Sequence, residues 1–253
     1  MTTLVLVRHA TTAATGSRLG GRTTASLDEA GRGQAAATAE RLAALPLRAV
    51  YASPLPRTRE TAELVAAPHR LDVVLDDGLL EVEYGRWTDR PLRPLTRTKL
   101  WPVIQSRPSL VTFPEGETIR AMQLRAVDAV EAIVARHRST AVAVVSHADV
   151  IKALVSFYLG QPLDLFQRLH VAPASVTMLS LSPGGRPLLL RLNDDGPLTA
   201  ERFRPPRRRR PATRSTGRSA GRGRGGRKES LPAGSGTQQP PEQRTTDTEH
   251  DGG

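Results

Sequence analysis

Apolar positions along this chain fall into two alternating rhythms. Short unbroken runs read as strands buried on both faces, and longer stretches with a helical repeat lie between them. Residues 4–7, Leu-Val-Leu-Val, form the first run and break into Arg8-His9. An Ala-rich stretch from Leu27 to Ala44 follows, its acids Asp28 and Glu29 in the first turn, where they complement the helix dipole. Arg48–Ala52 is a second short strand, Arg57–Ala67 has helical spacing, and Leu71–Leu75 resembles an edge strand. A Pro-rich stretch from Pro91 to Pro114 is expected to hold one short helix near Leu100–Gln105. Glu117–Arg138 is the best amphipathic helix. Ala141–Val145 is a third apolar strand, Val150–Leu159 a further helix, and Ser175–Leu181 with Pro187–Leu192 a closing pair of strands. This alternation predicts an α/β protein, a three-layer α/β/α sandwich around a mainly parallel, mixed sheet.

From about Arg204 the pattern stops. Arg207–Arg210 and the run Gly-Arg-Gly-Arg-Gly-Gly-Arg at 221–227 lead into Ser, Gly, Gln and Pro. Such a segment buries too little apolar surface to offset its ordering entropy. The expected organisation is a catalytic domain over 1–203 and a disordered basic tail over 204–253. Charge supports the division: of the net +11, residues from Arg202 onward contribute +8, with 13 Lys/Arg against 5 Asp/Glu. The tail's Arg/Gly content suits weak nucleic-acid binding through phosphate contacts. Phe203 is the only aromatic residue from Arg202 on, so base stacking is nearly absent.

The absence of Cys excludes disulfides and thiolate metal sites. No apolar run approaches the roughly 18 residues of a membrane span. The start of the chain has neither a charged region nor a long apolar region of a signal peptide. A cytoplasmic protein without membrane attachment is the expectation.

Three strands end in polar residues of related chemistry: Arg8-His9, Ser53-Pro54-Leu55-Pro56-Arg57 and Ser146-His147. Between the last two lies Leu80-Glu81-Val82-Glu83-Tyr84-Gly85-Arg86-Trp87, with two acids before a Gly turn. Open α/β sheets bind ligands beyond the carboxyl ends of their strands. Convergence there would gather two imidazoles, two guanidiniums and a carboxylate, a set that packing alone does not require. It suits phosphoryl transfer, with cations on the phosphoryl oxygens and a carboxylic acid protonating the leaving oxygen. Glu81 and Glu83 both remain candidates for the acid, since alternate residues of a strand share a face. Arg59 is expected on a solvated helix face. Ser53 and Ser146 are expected as strand-end hydrogen-bonding residues, and His69, His137 and His170 as surface or packing residues.

These motifs resemble the histidine phosphatase superfamily, the phosphoglycerate-mutase-like fold. Arg8-His9 is similar to its Arg-His-Gly signature, and Ser53 to Ala62 to its Ser-x-Leu-x-Arg-Ala-x-x-Thr-Ala. Glu81 to Trp87 resembles its acid motif, Pro114-Glu115-Gly116-Glu117-Thr118 the turn that opens its late helix, and Ser146-His147 its second His motif. The resemblance covers residues 3 to about 195. It implies that His9 becomes phosphohistidine, that Glu81 is general acid and then base, and that Arg8, Arg57 and His147 hold the phosphoryl group. It implies no metal and no cofactor, and a small phosphorylated substrate. The chain departs from the pattern at Ala10, where Gly is usual, at Thr11-Thr12, and at Thr15, where an Asn commonly lines the phosphate pocket and whose hydroxyl can still hydrogen-bond. Mutases of the family carry an insert with paired arginines that clamp a substrate carboxylate. Here the segment from Trp87 to Phe113 holds Arg90, Arg93, Arg97, Lys99 and Arg107 without an adjacent pair, and Leu92, Leu95, Trp101 and Pro108 suit an apolar lid. The expected activity is a phosphomonoesterase on a small metabolite, with a phosphomutase using the same His9 as the alternative.

Overall fold

The computed structural model describes residues 1–182 and 184–197. The tail expected over 204–253 and the domain boundary at 203 lie outside the described residues. In chain order the elements are β1 (Thr2–Arg8), β2 (Arg18–Leu19), α1 (Glu29–Leu42), β3 (Leu47–Ala52), α2 (Pro56–Ala66), β4 (Val73–Leu75), β5 (Arg90–Pro91), α3 (Leu92–Leu95), α4 (Leu100–Ser106), α5 (Ile119–Arg136), β6 (Ala141–Ser146), α6 (Ala148–Tyr158), β7 (Val176–Leu181) and β8 (Leu188–Asp194). Six strands form one sheet in the order β4-β3-β6-β1-β7-β8. β4, β3, β6 and β1 run parallel, and the closing pair β7 and β8 is antiparallel, so the sheet is mixed as the sequence predicts.

The apolar run in β1 is unbroken because both faces of the strand are covered. Leu4 and Leu6 join Tyr51, Val142, Val144 and Leu179 beneath α5 and α6, where Met122, Val130, Ile133, Ile151 and Leu154 complete the cluster. Val5 and Val7 face the other way, with Val50, Ala52, Ala143 and Val145, against Leu42 of α1 and Ala62 and Val65 of α2. Each of these Val and Leu side chains contributes roughly 1.5–3 kcal/mol by leaving water. Two helical layers enclosing one sheet give the expected three-layer sandwich. No helix among the described residues is long and apolar enough to cross a membrane.

Register places the site. Val7 pairs with Val145 and Arg8 with Ser146, while Ala52 of β3 also pairs with Val145. The three strands therefore end level, and the backbone seals the alignment: His9 N–H donates to Ser146 O at 2.9 Å and Ser53 N–H to Val145 O at 3.1 Å. Three features depart from the sequence reading. The Pro-rich stretch contains α3 in addition to α4, and β5 pairs with β2 as a small separate ribbon. Leu80–Tyr84 is not a strand but irregular chain, so alternation of side chains does not govern Glu81 and Glu83.

The loop carrying those acids is docked by glycine. Gly85 has φ +52°, and a Cβ there would lie 2.1 Å from Pro114 O. The approach lets Arg86 N–H donate to Pro114 O at 2.9 Å and Glu117 N–H to Glu83 O at 2.9 Å. Replacing Gly85 by Ala meets both a left-handed backbone and a carbonyl in contact. We expect Gly85→Ala to lower unfolding free energy by about 1–3 kcal/mol in urea titration; a change within about 0.5 kcal/mol would show that the loop shifts freely.

Candidate active site

The level ends of β1, β3 and β6 open into a cleft of about 280 Å³, at the small end of ligand sites, lined by Arg8, His9, Thr15, Arg57 and Glu81 among others. His147 lies fully buried beside it, its ring in edge-on contact with His9 at 5.2 Å between centroids. The structure thus gathers the two imidazoles, two guanidiniums and carboxylate expected from the strand ends.

Arg57 ties them together. It sits in the first turn of α2 after Pro56, which suits a helix start. Its Nε donates to His9 Nε2 at 3.2 Å and its NH2 to His147 Nδ1 at 3.2 Å. The same guanidinium donates to Gly21 O at 2.6 Å and Thr23 O at 3.1 Å. Arginine has donors only. Each imidazole must therefore turn a lone pair toward it and carry its proton on the other nitrogen. Acceptors stand at both required places: Ala10 O lies 2.7 Å from His9 Nδ1, and Ser53 Oγ lies 2.9 Å from His147 Nε2. His9 consequently holds its lone pair at Nε2, and Ser53 is the strand-end hydrogen-bonding residue expected. Ser146 serves likewise, donating to Leu79 O at 2.8 Å.

Arg8 donates to Val171 O at 2.7 Å, and its Nε is buried with no partner in the protein. A buried donor of a cation left unpaired is costly, and a ligand oxygen would satisfy it.

Glu81 rather than Glu83 faces the cleft. Its Oε1 accepts from Val82 N–H at 3.0 Å, and its Oε2 lies 4.0 Å from His147 Nδ1. Glu83 points elsewhere, pairing with Arg22 at 3.2 Å, and its amide donates to Glu117 at 2.8 Å. Of the two acids, Glu81 alone lines the cleft.

Thr15 lines the cleft, but its Oγ1 accepts from Thr12 N–H at 2.9 Å, which commits one lone pair to its own loop. Thr11 turns away and donates to Asp28 Oδ1 at 2.8 Å beside the cap of α1. Ala10 is buried with Leu27, Ala35 and Ala174, so its methyl group fills a small apolar cluster where the family pattern has Gly. Arg59 is exposed and 3.9 Å from Glu63. His137 hydrogen-bonds Tyr51 at 3.0 Å, far from the cleft. Of the apolar lid residues, Leu92 lines the cleft, whereas Leu95 and Pro108 are buried and Trp101 packs on the main core.

Several contributors escaped the sequence reading. Arg125 of α5 donates to Gly78 O, Leu80 O and Glu81 O and pairs with Glu117, fastening the acid loop from behind. Asp149, two residues past His147, lines the cleft and accepts from Tyr84 OH at 3.0 Å. Its place in the first turn of α6 was the only available signal. Among the described residues no three His, Asp or Glu side chains are grouped to hold a metal ion.

Burial sets the protonation states. Desolvation, then Arg57 and Arg8, hold His9 well below the usual imidazole range. The same burial and Arg57 depress His147. Burial, reinforced by Asp149, raises the Glu81 carboxyl to about 7 against the pull of the Val82 amide and the two guanidiniums. The neutral forms of all three groups are thus favoured near neutral pH.

The chain matches known proteins over the same span. Residues 4–195 match the family described as the histidine phosphatase superfamily (branch 1). Phosphoserine phosphatase 1 of Hydrogenobacter thermophilus is 29% identical over 199 residues, covering 76% of this chain and 92% of that protein. A probable phosphoglycerate mutase, GpmB of Erwinia tasmaniensis, is 32% identical over 185 residues, covering 70% of this chain and 84% of that protein. Among solved structures, Bacillus stearothermophilus YhfR superposes with a TM-score of 0.72 at 30% identity, covering 77% of this chain and 98% of the other.

Glu81 offers a direct test of this electrostatic environment. Between the ordinary carboxyl value and about 7, the native protein keeps a proton that the unfolded chain has released. Its contribution to stability is present below the unfolded value and is lost as pH rises through about 7. The depressed imidazoles act in the opposite sense, so wild type must be compared with Glu81→Gln. We expect wild type to lose more than about 1 kcal/mol relative to Glu81→Gln between pH 5 and 7.5 in urea unfolding; parallel profiles would contradict the raised carboxyl.

Proposed function

The chain belongs to the histidine phosphatase superfamily, and from that premise we propose that it is a phosphomonoesterase working through phosphohistidine at His9. The observation that carries this reading is the forced tautomer: His9 is neutral and lines the cleft, with its Nε2 lone pair turned toward Arg57.

A phosphate monoester enters with its phosphoryl oxygens on the free donors of Arg8 and on Arg57. Those oxygens draw Arg57 off His9 Nε2, which frees the nucleophile. The dianion also reverses the electrostatics at His147, favouring an imidazolium that donates to a phosphoryl oxygen. Thr15 has its hydroxyl proton available to the same group. His9 Nε2 then attacks phosphorus in line as the ester P–O bond breaks, and the protonated Glu81 delivers its proton to the departing alkoxide. In the second step Glu81, now a carboxylate, takes a proton from water while the water oxygen attacks phosphorus. The P–N bond breaks, and its electron pair returns to His9. General acid–base help of this kind is worth roughly 10²–10⁴ in rate. No step requires a metal ion.

Hydrolysis is favoured over return of the phosphoryl group by the fate of the segment after the acid motif. Arg90, Arg93, Arg97, Lys99 and Arg107 are all exposed, and none lines the cleft. They do not supply the paired clamp that a mutase needs for a second anionic group.

Rapid mixing with phenyl phosphate and quenching in alkaline denaturant, in which a phosphoramidate survives, should yield one phosphoryl group on the peptide bearing His9. His9→Ala should lose both this adduct and phosphate release. Turnover surviving in His9→Ala without an adduct would sink the mechanism. The roles also fix a pH profile. The rate constant kcat/KM should fall above about pH 7 as Glu81 ionises. Glu81→Gln should slow alkyl esters by about 10²-fold or more and nitrophenyl phosphate far less, because a stable leaving anion needs no acid. Equal losses on both substrates would remove Glu81 from the acid role.

A further inference from the structure

Beyond the phosphoryl floor, the cleft wall shows what kind of alcohol it can receive. Three cations line the cleft among the described residues: Arg8, Arg57 and Arg18. The first two belong to the phosphoryl end. Arg18 stands on the β2–β5 ribbon at the mouth, and it is already matched. Its Nε donates to Asp89 Oδ1 at 2.7 Å and its NH2 to Asp89 Oδ2 at 3.1 Å, the bidentate fork that satisfies a guanidinium against one carboxylate. Asp89 reaches it from a left-handed backbone, φ +59°, that Asp tolerates better than most residues. Its amide donates to Leu19 O at 2.7 Å, which locks the turn to the ribbon.

The acidic side of the mouth is matched in the same way. Asp149 is the carboxylate on the outer wall, and it accepts from Lys152 Nζ at 3.2 Å and from Tyr84 OH at 3.0 Å. Between these two closed pairs the wall is uncharged: Leu19, Leu92, Ala14, Ala25 and Ala148 stand with the hydroxyl residues Thr12, Thr15 and Thr23. The ribbon is what brings Leu19 and Leu92 to the mouth, since Leu92 N–H donates to Ser17 O at 3.0 Å beside the β2–β5 pairing.

Resting on the phosphomonoesterase reading, we infer that the enzyme acts on monoesters whose alcohol part is uncharged and discriminates against those carrying a carboxylate or a second phosphate. A second anion in the mouth would give up hydration to a wall with no unmatched cation, lie near Asp149, and compete with Asp89 for Arg18. A hydroxyl-bearing or apolar leaving group incurs none of these costs. This selectivity belongs to the leaving-group wall and is separable from the phosphoryl chemistry on the floor.

Two substrate pairs isolate the charge. Glycerol 3-phosphate and 3-phosphoglycerate differ by a hydroxymethyl group against a carboxylate, and phenyl phosphate and 4-carboxyphenyl phosphate differ by a carboxylate alone. We expect the neutral member of each pair to be favoured by about ten-fold or more in kcat/KM, a size ordinary for one unpaired charge in a site. Asp89→Ala releases Arg18 without touching the cleft floor. It should raise kcat/KM for the carboxylated esters by about five-fold and leave the neutral ones within about two-fold, as for a rim charge. Equal or preferred cleavage of the carboxylated esters, or a ratio unmoved in Asp89→Ala, overturns the inference while phosphohistidine formation stands. Absence of both phosphate release and the His9 adduct with all four esters overturns the underlying reading as well.

Discussion

A permanent charge buried without a carboxylate in direct contact is the constraint on which this site depends. Arg57 is 4% exposed, and its four hydrogen bonds run to two backbone carbonyls and two imidazole nitrogens. Because a guanidinium cannot accept, it dictates the tautomers of both histidines. Because it cannot deprotonate, it adds to burial in holding both rings neutral. Were either imidazole protonated on the nitrogen facing Arg57, a donor would meet a donor inside the protein. The acceptors behind the rings, Ala10 O and Ser53 Oγ, complete the arrangement by taking the protons that Arg57 excludes. The site thus holds positive charge beside two neutral bases, a balance that a phosphate dianion is suited to redress.

That arrangement rests on register more than on any loop. His9, Ser53 and His147 each follow the last paired residue of a parallel strand, and the pairings of Val145 with both Val7 and Ala52 bring those ends level. A slip of one residue in β1 would exchange its two core faces and move His9 along the sheet. The hydrophobic clusters on both faces therefore hold the catalytic geometry indirectly. The acid comes by a different route. Its loop has no strand to anchor it, and it is held instead by Arg125 through carbonyls of Gly78, Leu80 and Glu81, and by the close approach at Gly85.

This difference explains what could be read from the chain. Arg8-His9, Ser53–Arg57 and Ser146-His147 were legible because a buried strand has a strong apolar signature and its end is sharply marked. Glu81 and Glu83 could not be separated, since a strand period was applied to a segment whose course is set by contacts from α5, far along the sequence. Ala10 stands where the family pattern has Gly; in the fold its methyl group has apolar neighbours and no left-handed conformation to oppose it. The engagement of Thr15 with Thr12 and the matching of Arg18 by Asp89 depend on loop geometry that no periodicity encodes. Asp149 lay two residues from a recognised motif, yet its importance appears only when Tyr84 and Glu81 converge on it.

Burial acts on Glu81 and His9, the proposed acid and nucleophile, together. Removing water favours neutral forms, which raises a carboxyl and lowers an imidazole, and these are the states that attack and protonation require. The phosphate clamp complicates this. Arg8 and Arg57 help His9 stay neutral, but they also pull Glu81 toward its anion, where it is useless as an acid. Asp149 opposes that pull from the other wall of the cleft, and Lys152 and Tyr84 keep Asp149 itself in place. The two cations proposed to hold a phosphoryl group thus coexist with a protonated Glu81 because burial, reinforced by the opposite charge of Asp149, favours the neutral carboxyl.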